Sequence, residues 1–237
     1  MIGRITVLDD PGALARHAAN WMTTAALDAT GPIRISLSGG STPKALYGLL
    51  ASDEFRGRFP WSKVSWYWGD ERFVPYDHPE SNYRMAREAM LSKAPVPAAH
   101  IHPVPCEGTP DDAARQYERT LREDYGAAAL DPARPLFEVT LLGLGADGHT
   151  ASLIPGEPVL QERSRWVMAV AHGRPEVRIT MTYPALESSR RVAFLVAGKE
   201  KADIVKSIRA GASQAPAARL RPIGELDWFV DRAAAGA

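Results

Sequence analysis

The chain has 237 residues, of which 45% are hydrophobic, and its 28 basic side chains are balanced by 28 acidic ones. This composition is that of a globular protein and excludes a largely disordered chain. Zero net charge excludes a global field that attracts nucleic acid or anionic membrane, so an anionic ligand needs a local cluster of cations.

Strands and helices are predicted to alternate from the start of the chain. Residues 5–8 and Ile33–Leu37 have the pattern of short strands, and residues 14–27 form an alanine-rich helical stretch. Residues 9–11 introduce that helix with two aspartates and a proline. The repeat continues with a third strand, Val64–Trp68, and with a helix that begins over residues 81–88.

The second predicted strand runs into a turn rich in hydroxyls and backbone N–H groups. The turn consists of Ser38, Gly39, Gly40, Ser41 and Thr42. A helix follows, for which Thr42 is the predicted N-cap and Pro43 the first helical residue. Backbone N–H groups in front of a helix N-terminus bind phosphate readily, although the spacing of a Walker loop is absent. The turn is either a phosphate site or a plain connection with a capping threonine.

The third predicted strand ends in a charged turn. Asp70, Glu71 and Arg72 follow it directly. Two carboxylates beside a guanidinium can serve acid–base catalysis, or they can form a solvated ion-pair cluster of small energetic value. Because ligands bind at the carboxyl ends of the strands in open α/β sheets, we expect at least one of the three to be functional.

An apolar strand over residues 137–144 leads into the most informative turn of the chain. The turn contains Gly143, Gly145, Gly148, Asp147 and His149. Its glycines can adopt positive φ angles and allow close approach of a ligand. A histidine, with an unperturbed pKa of about 6.5, is suited to proton transfer near neutral pH. His149 is therefore either a catalytic group or a loop histidine held by Asp147.

The same turn also fits the dinucleotide motif G-x-G-x-x-G. A dinucleotide site requires a long helix after the turn and an acidic residue about 20 residues further on, at the tip of a second strand. Pro155 and Gly156 interrupt such a helix, and Glu162 lies in a charged stretch. The motif alone is a weak indication of a dinucleotide site.

The remaining segments continue the alternation. They are a proline-rich connection over 95–110, a helix over 111–125, strands over 166–171, 177–182 and 191–197, and a helix over 199–209. This order predicts the α/β class, a three-layer αβα sandwich with a mostly parallel sheet, in a single domain over residues 1–237. Cys106 is the only cysteine, which excludes an internal disulfide.

Location and metal content are predicted from what the sequence lacks. The start has no signal-peptide pattern, and no segment has the uninterrupted apolar stretch of about 18 residues that spans a membrane. We therefore expect a soluble, cytoplasmic protein. His100 and His102 have the spacing of metal ligands but no evident third ligand, which favours two loop histidines and no metal.

Six segments of the chain together resemble the 6-phosphogluconolactonase family. They are residues 36–43, 68–75, 81–86, 142–153, 178–182 and 198–202, and they span most of the chain in the family's order. The fourth segment is the most specific. The resemblance implies an open, modified Rossmann-like sheet that is shared with sugar-phosphate isomerases and deaminases. It also implies hydrolysis of 6-phospho-D-glucono-1,5-lactone to 6-phosphogluconate, the second step of the oxidative pentose phosphate pathway, without a metal or organic cofactor.

The resemblance implies roles for the matching positions. His149 is the implied catalytic histidine, Asp147 its close neighbour, and Asp70 and Arg72 belong to the active-site wall. The implied phosphate-holding residues are Ser38, Gly39, Gly40, Ser41, Thr42, Arg178 and Lys201. Two questions stay open: whether Asp147 or Asp70 orients His149, and whether Arg72 or the glycine-turn amides stabilise the oxyanion.

The main alternative is a sugar-phosphate deaminase or isomerase on the same fold. In the deaminase pattern, the Asp-Gly-His turn is followed by Ala-Phe-Asn-Glu-Pro, whose glutamate assists ring opening. Residues 151–155 contain no glutamate, and Glu157 lies beyond Pro155. A non-catalytic sugar-phosphate sensor is a further alternative, although no helix-turn-helix or basic stripe is evident. We expect a small phosphosugar lactone as the partner, no nucleic acid or membrane, and a monomer or weak homodimer.

Overall fold

The computed structural model describes residues 3–171 and 175–236. Its strands are β1 (Arg4–Leu8), β2 (Ile33–Leu37), β3 (Val64–Trp68), β4 (Asp70–Arg72), β5 (Phe137–Leu142), β6 (Val167–Val170), β7 (Arg178–Met181), β8 (Ser189–Val196) and β9 (Glu225–Asp231). Its α-helices are α1 (Pro11–Asp28), α2 (Ser41–Leu50), α3 (Asp53–Arg56), α4 (Asn82–Ala86), α5 (Pro110–Tyr125), α6 (Tyr183–Glu187), α7 (Ala202–Arg209), α8 (Pro216–Arg219) and α9 (Arg232–Ala235). A turn of π-helix, Arg87–Leu91, extends α4.

A six-stranded parallel sheet forms the centre of the molecule. Its strand order is β1-β9-β8-β5-β2-β3, and every neighbouring pair is parallel. Strand β5 lies in the interior of the sheet, and most of its side chains are buried, as expected for a strand covered on both faces. Helices flank the sheet. The predicted α/β class with a mostly parallel sheet is confirmed.

A second, three-stranded antiparallel sheet was not predicted. Its order is β4-β7-β6, and it contains the turn residues Asp70, Glu71 and Arg72 as strand β4. Residues 166–171 and 177–182, interpreted as further strands of an α/β sandwich with one largely parallel sheet, pair antiparallel with each other instead. Arg72 therefore lies opposite Arg178, and Asp70 lies opposite Thr180.

One local prediction after the second strand was wrong, and one strand near the chain end was not predicted. Helix α2 begins at Ser41, with Gly40 at its N-cap position, so Thr42 lies inside the first turn and caps nothing. Strand β9 was missed because charged residues interrupt its apolar run. One of them, Asp227, is buried and is bonded through Oδ1 to the guanidinium of Arg4 at 2.7 Å.

Two buried tyrosines hold the ends of the strands that lead to the polar turns. The Tyr47 hydroxyl accepts a hydrogen bond from the Ser38 N–H at 2.9 Å and donates to the Ser38 carbonyl at 2.8 Å. The Tyr117 hydroxyl does the same for Trp68, at 2.7 and 3.1 Å. Each phenol thus satisfies both backbone groups of one residue where the chain leaves the sheet.

Within the part of the chain that the structure describes, no helix has the length and apolar character needed to cross a membrane.

Candidate functional site at the carboxyl ends of four strands

A polar cleft of about 240 Å³ lies at the carboxyl edge of the parallel sheet. Four neighbouring strands, β8, β5, β2 and β3, lead into it, because their carboxyl ends point to the same edge. Its lining residues are Ser38, Gly39, Gly40, Asp70, Arg72, Asn82, Gly143, Leu144, Gly145, His149, Ala151, Arg178 and Lys201. Residues from the three polar turns of the sequence therefore meet in one place.

The loop after β5 is a compact turn that holds His149 against its own backbone. The Gly145 N–H donates to the His149 carbonyl at 2.8 Å, and the Thr150 hydroxyl donates to the Gly143 carbonyl at 2.9 Å. A Cβ atom at position 145 would lie 2.1 Å from His149 Nδ1, so only glycine leaves room for the ring. Of the three glycines expected to adopt positive φ, only Gly148 does so, at 81°.

Asp147 and His149 form a hydrogen-bonded pair. Asp147 Oδ1 lies 2.6 Å from His149 Nδ1 and also accepts the backbone N–H of His149 at 3.1 Å. Partial burial raises the pKa of Asp147, but these hydrogen bonds outweigh burial, and its pKa lies below the usual value. The ionised carboxylate accepts a hydrogen bond from Nδ1–H, which leaves Nε2 as the unprotonated ring nitrogen of the neutral histidine.

Asp70 forms its hydrogen bonds with residues other than His149. Its Oδ2 accepts a hydrogen bond from Ser152 Oγ at 2.8 Å, and its backbone carbonyl accepts one from Asn82 Nδ2 at 2.9 Å. Asp70 is buried and lines the cleft, but its bonded partners do not include His149. The geometry thus pairs His149 with Asp147, the nearer of the two candidate carboxylates in sequence.

Three cations line the cleft. Arg72 and Arg178 are opposite each other in the β4–β7 ladder, and Lys201 follows β8. Arg72 Nη1 donates to the backbone carbonyl of Glu80 and lies 3.2 Å from its carboxylate, while Arg178 is buried. Like charges directly opposite in a sheet are unfavourable without an anion between or beside them. The arrangement creates a local positive field in a chain of zero net charge.

The hydroxyl-rich turn contributes only part of its length to the cleft. Ser38, Gly39 and Gly40 line it, whereas Ser41 is exposed and Thr42 lies in the first turn of α2 outside the lining. Asp147 also lies outside the lining and reaches the cleft only through His149. The remaining eight predicted residues line the cleft together.

Asn82 lines the cleft but was not selected from the sequence, whereas Glu71, one of the three candidates in the charged turn, lies outside the lining and holds the backbone at Asn82. The buried Glu71 carboxylate accepts backbone N–H groups of Arg72, Asn82 and Tyr83 at 2.7 to 2.8 Å, and the Ser81 hydroxyl at 3.1 Å. Burial raises the pKa of Glu71, and the three N–H donors oppose that rise. The available sequence signal was Ser81, which caps α4 and places Asn82 at its first position.

Among residues 3–171 and 175–236, no group of three or more histidine, cysteine or acidic side chains has the geometry to hold a metal ion. The cleft instead offers hydrogen-bond donors, one histidine and three cations.

The fold and the cleft define an α/β protein with a histidine–carboxylate pair and a cation-lined pocket at the carboxyl edge of a parallel sheet. The model of the glucosamine-6-phosphate isomerases/6-phosphogluconolactonase family matches residues 9–228. The chain therefore belongs to this family.

Individual relatives cover the whole chain. A 6-phosphogluconolactonase of Synechocystis is 40% identical over 99% of this chain and 98% of its own length. The structure of 6-phosphogluconolactonase from Trypanosoma cruzi superposes with a TM-score of 0.85 at 29% identity, over 99% of this chain and 96% of the other. A monomeric glucosamine-6-phosphate deaminase has a TM-score of 0.82 at 20% identity, covering 98% and 99% of the two chains, and shares the fold.

Proposed function

We propose that the protein hydrolyses 6-phospho-D-glucono-1,5-lactone to 6-phospho-D-gluconate, the second step of the oxidative pentose phosphate pathway. The observation that carries this proposal is the Asp147–His149 pair, 2.6 Å apart, in the same cleft as Arg72, Arg178 and Lys201. Hydrolysis of a phosphorylated lactone needs an acid–base group at the carbonyl and cations that bind the phosphate. Full-length similarity to a 6-phosphogluconolactonase supports this reaction over others on the fold.

His149 acts as the general base and then as the general acid in this proposal. Its Nε2 takes a proton from the water that attacks the lactone carbonyl, and the carbonyl oxygen becomes an oxyanion. When the tetrahedral intermediate collapses, the bond to the ring oxygen breaks, and Nε2 returns the proton to that oxygen. Such proton transfer contributes about 10²- to 10⁴-fold in rate.

The rest of the cleft has two tasks. Arg72, or the backbone N–H groups of residues 143–145, stabilises the oxyanion. Arg178, Lys201 and the amides of the Ser38 turn hold the phosphate, which carries about −1.5 to −2 charges at neutral pH. Ser41 and Thr42, which do not line the cleft, are left out of this assignment.

The deaminase alternative has less support. Residues 151–155 carry no carboxylate. Leu153, which lies next to the position that the glutamate occupies in the deaminase pattern, is fully buried. Glu157 is separated from the histidine loop by Pro155 and Gly156 and is not among the residues that line the cleft.

The test is hydrolysis of lactone generated in situ from glucose 6-phosphate and followed above the spontaneous rate. The protein should accelerate it, and His149→Ala should lose most of the acceleration while still binding 6-phosphogluconate. Ammonia release from glucosamine 6-phosphate instead, or full activity of His149→Ala, would refute the assignment. A chelator should leave the activity unchanged, because we propose no metal or organic cofactor.

The remaining proposals concern the domain organisation, the oligomeric state, the location and the partners of the protein. We propose a single domain that works as a monomer or weak homodimer in the cytoplasm, with a phosphosugar lactone as its partner and no nucleic acid. Sedimentation at assay concentration tests the oligomeric part.

A further inference from the structure

Asn82 is a buried cleft residue whose amide is only half used. It is 4% exposed, and its Nδ2 donates to the Asp70 carbonyl at 2.9 Å. This bond fixes the orientation of the amide, so Oδ1 is the atom left over. Among the described residues, none donates a hydrogen bond to Oδ1. Oδ1 is nevertheless not one of the buried atoms left without a partner, so it is open to the cleft, where water or a ligand can donate to it.

The backbone around Asn82 is held firmly. Glu71 Oε1 accepts the Asn82 N–H at 2.7 Å and the Arg72 N–H at 2.8 Å, which fastens the start of α4 to strand β4. The Asn82 side chain therefore cannot turn away without breaking its bond to Asp70. Its placement is built into the contact between β4 and α4.

Gly39, which packs directly against the Asn82 amide, leaves room for it because it has no side chain. A Cβ atom at Gly39 would lie 2.1 Å from Asn82 Oδ1, a distance that real atoms do not adopt. Gly39 belongs to the turn after β2, whereas Asn82 follows β4. Two separate elements thus meet at this oxygen, and both line the cleft.

We propose that Asn82 Oδ1 accepts a hydrogen bond from a hydroxyl of the bound phosphosugar, which makes Asn82 a substrate-positioning residue. This inference rests on the proposed function. A neutral acceptor does not attract the oxyanion or the dianionic form of the phosphate, which have no proton to donate. Hydroxyl groups are the donors that a phosphosugar lactone carries between its two charged ends.

The experiment measures binding of 6-phosphogluconate and its 2-deoxy, 3-deoxy and 4-deoxy analogues by calorimetry, to the parent protein and to Asn82→Ala. The variant should bind 6-phosphogluconate about three- to tenfold more weakly, the range of one neutral hydrogen bond. One deoxy analogue should bind both proteins equally, because it lacks the hydroxyl in question. With the lactone, KM should rise and kcat should change little.

Two further variants control the result. Asn20→Ala removes the same atoms from an exposed position of α1 and should bind every analogue as the parent does. Gly39→Ala, unlike Asn82→Ala, should weaken the binding of every analogue, because its added methyl group displaces the Asn82 amide and also alters the turn assigned to the phosphate.

An equal loss for every analogue, or no loss, would overturn the role of Asn82 while leaving the lactonase proposal intact. A parent protein that neither hydrolyses the lactone nor binds 6-phosphogluconate would overturn both.

Discussion

Asp147 is hydrogen-bonded to the ring and to the backbone N–H of His149, two residues away. Because its pKa is lowered, the carboxylate is ionised at neutral pH and accepts a hydrogen bond from Nδ1–H, so the lone pair of the neutral ring lies on Nε2. The side chain of Asp147 is 48% exposed and that of His149 is 27% exposed. The contact acts through tautomer and orientation rather than through burial of an ion pair.

Asp147→Asn should lower kcat on the order of 10²- to 10⁴-fold, because an amide N–H can pair with Nδ1 and move the ring proton to Nε2. KM should change little, since Asp147 does not line the cleft. Steady-state kinetics with lactone generated in situ measures both values.

Asp53→Asn is the matched control, because Asp53 is an exposed residue bonded to Arg56 on the surface. An unchanged kcat in Asp147→Asn would show that the carboxylate does not select the tautomer.

The sequence was enough to select candidate residues for proton transfer and phosphate binding, but not every residue that lines the cleft. His149, Asp147 and the cations stand in turns after strands, where a pattern can be recognised. Asn82 could not be selected in this way, since its importance depends on the contact with Gly39 from another part of the chain. The choice between Asp147 and Asp70 depended equally on side-chain distances that no motif contains.

At the scale of elements, strand boundaries followed hydrophobic patterning where the strand is buried. The predicted strands at Ile33–Leu37 and Val64–Trp68 match β2 and β3. Strand β4 did not follow the pattern, because its three residues are all charged and it forms by pairing with β7. Tertiary pairing, which leaves no periodic signal in so short a segment, created the second sheet.

The turn before β6 depends on one carboxylate. Glu162 Oε1 accepts backbone N–H groups of Arg163, Ser164 and Arg165 at 2.6 to 3.0 Å, together with the Ser164 hydroxyl at 2.8 Å. The N–H groups of Arg165 and Ser164 are the main cause of a pKa lowered to about 2. A lowered folded-state pKa stabilises the folded protein when the carboxylate is ionised in both states.

Glu162→Gln should therefore melt at a lower temperature than the parent at pH 6. The difference should shrink as pH falls below the unfolded value of 4.5 and approaches the folded value of about 2, because the parent then loses the same charge. Thermal melts at pH 6 and pH 3 measure it. A difference that stays constant with pH would mean that the charge of Glu162 does not stabilise the turn.

At the scale of the whole molecule, the cleft is a meeting point of distant segments. Its lining runs from Ser38 to Lys201 in sequence. A ligand held there bridges loops after four strands and both sheets, and it binds only the folded state.

Saturating 6-phosphogluconate should stabilise the protein by about 2.7 kcal/mol at 100 times Kd. For a chain of this size, that corresponds to a rise in Tm of about 5–10 °C. Scanning fluorimetry with and without the ligand measures the shift. Gluconate, which lacks the phosphate, should give a much smaller shift, and an equal shift with both would remove the phosphate role from Arg178 and Lys201.

The histidine and its carboxylate share one loop, whereas the three cations arrive on separate elements. A small shift of one strand relative to another therefore alters the distance between His149 and the cations proposed to bind the phosphate. It does not disturb the Asp147–His149 contact. A substitution or a rise in temperature that weakens the packing of the sheets should therefore lower the affinity for substrate before it slows proton transfer. On the proposed roles, substitutions at the three cations should change which phosphosugar binds without altering the Asp147–His149 contact.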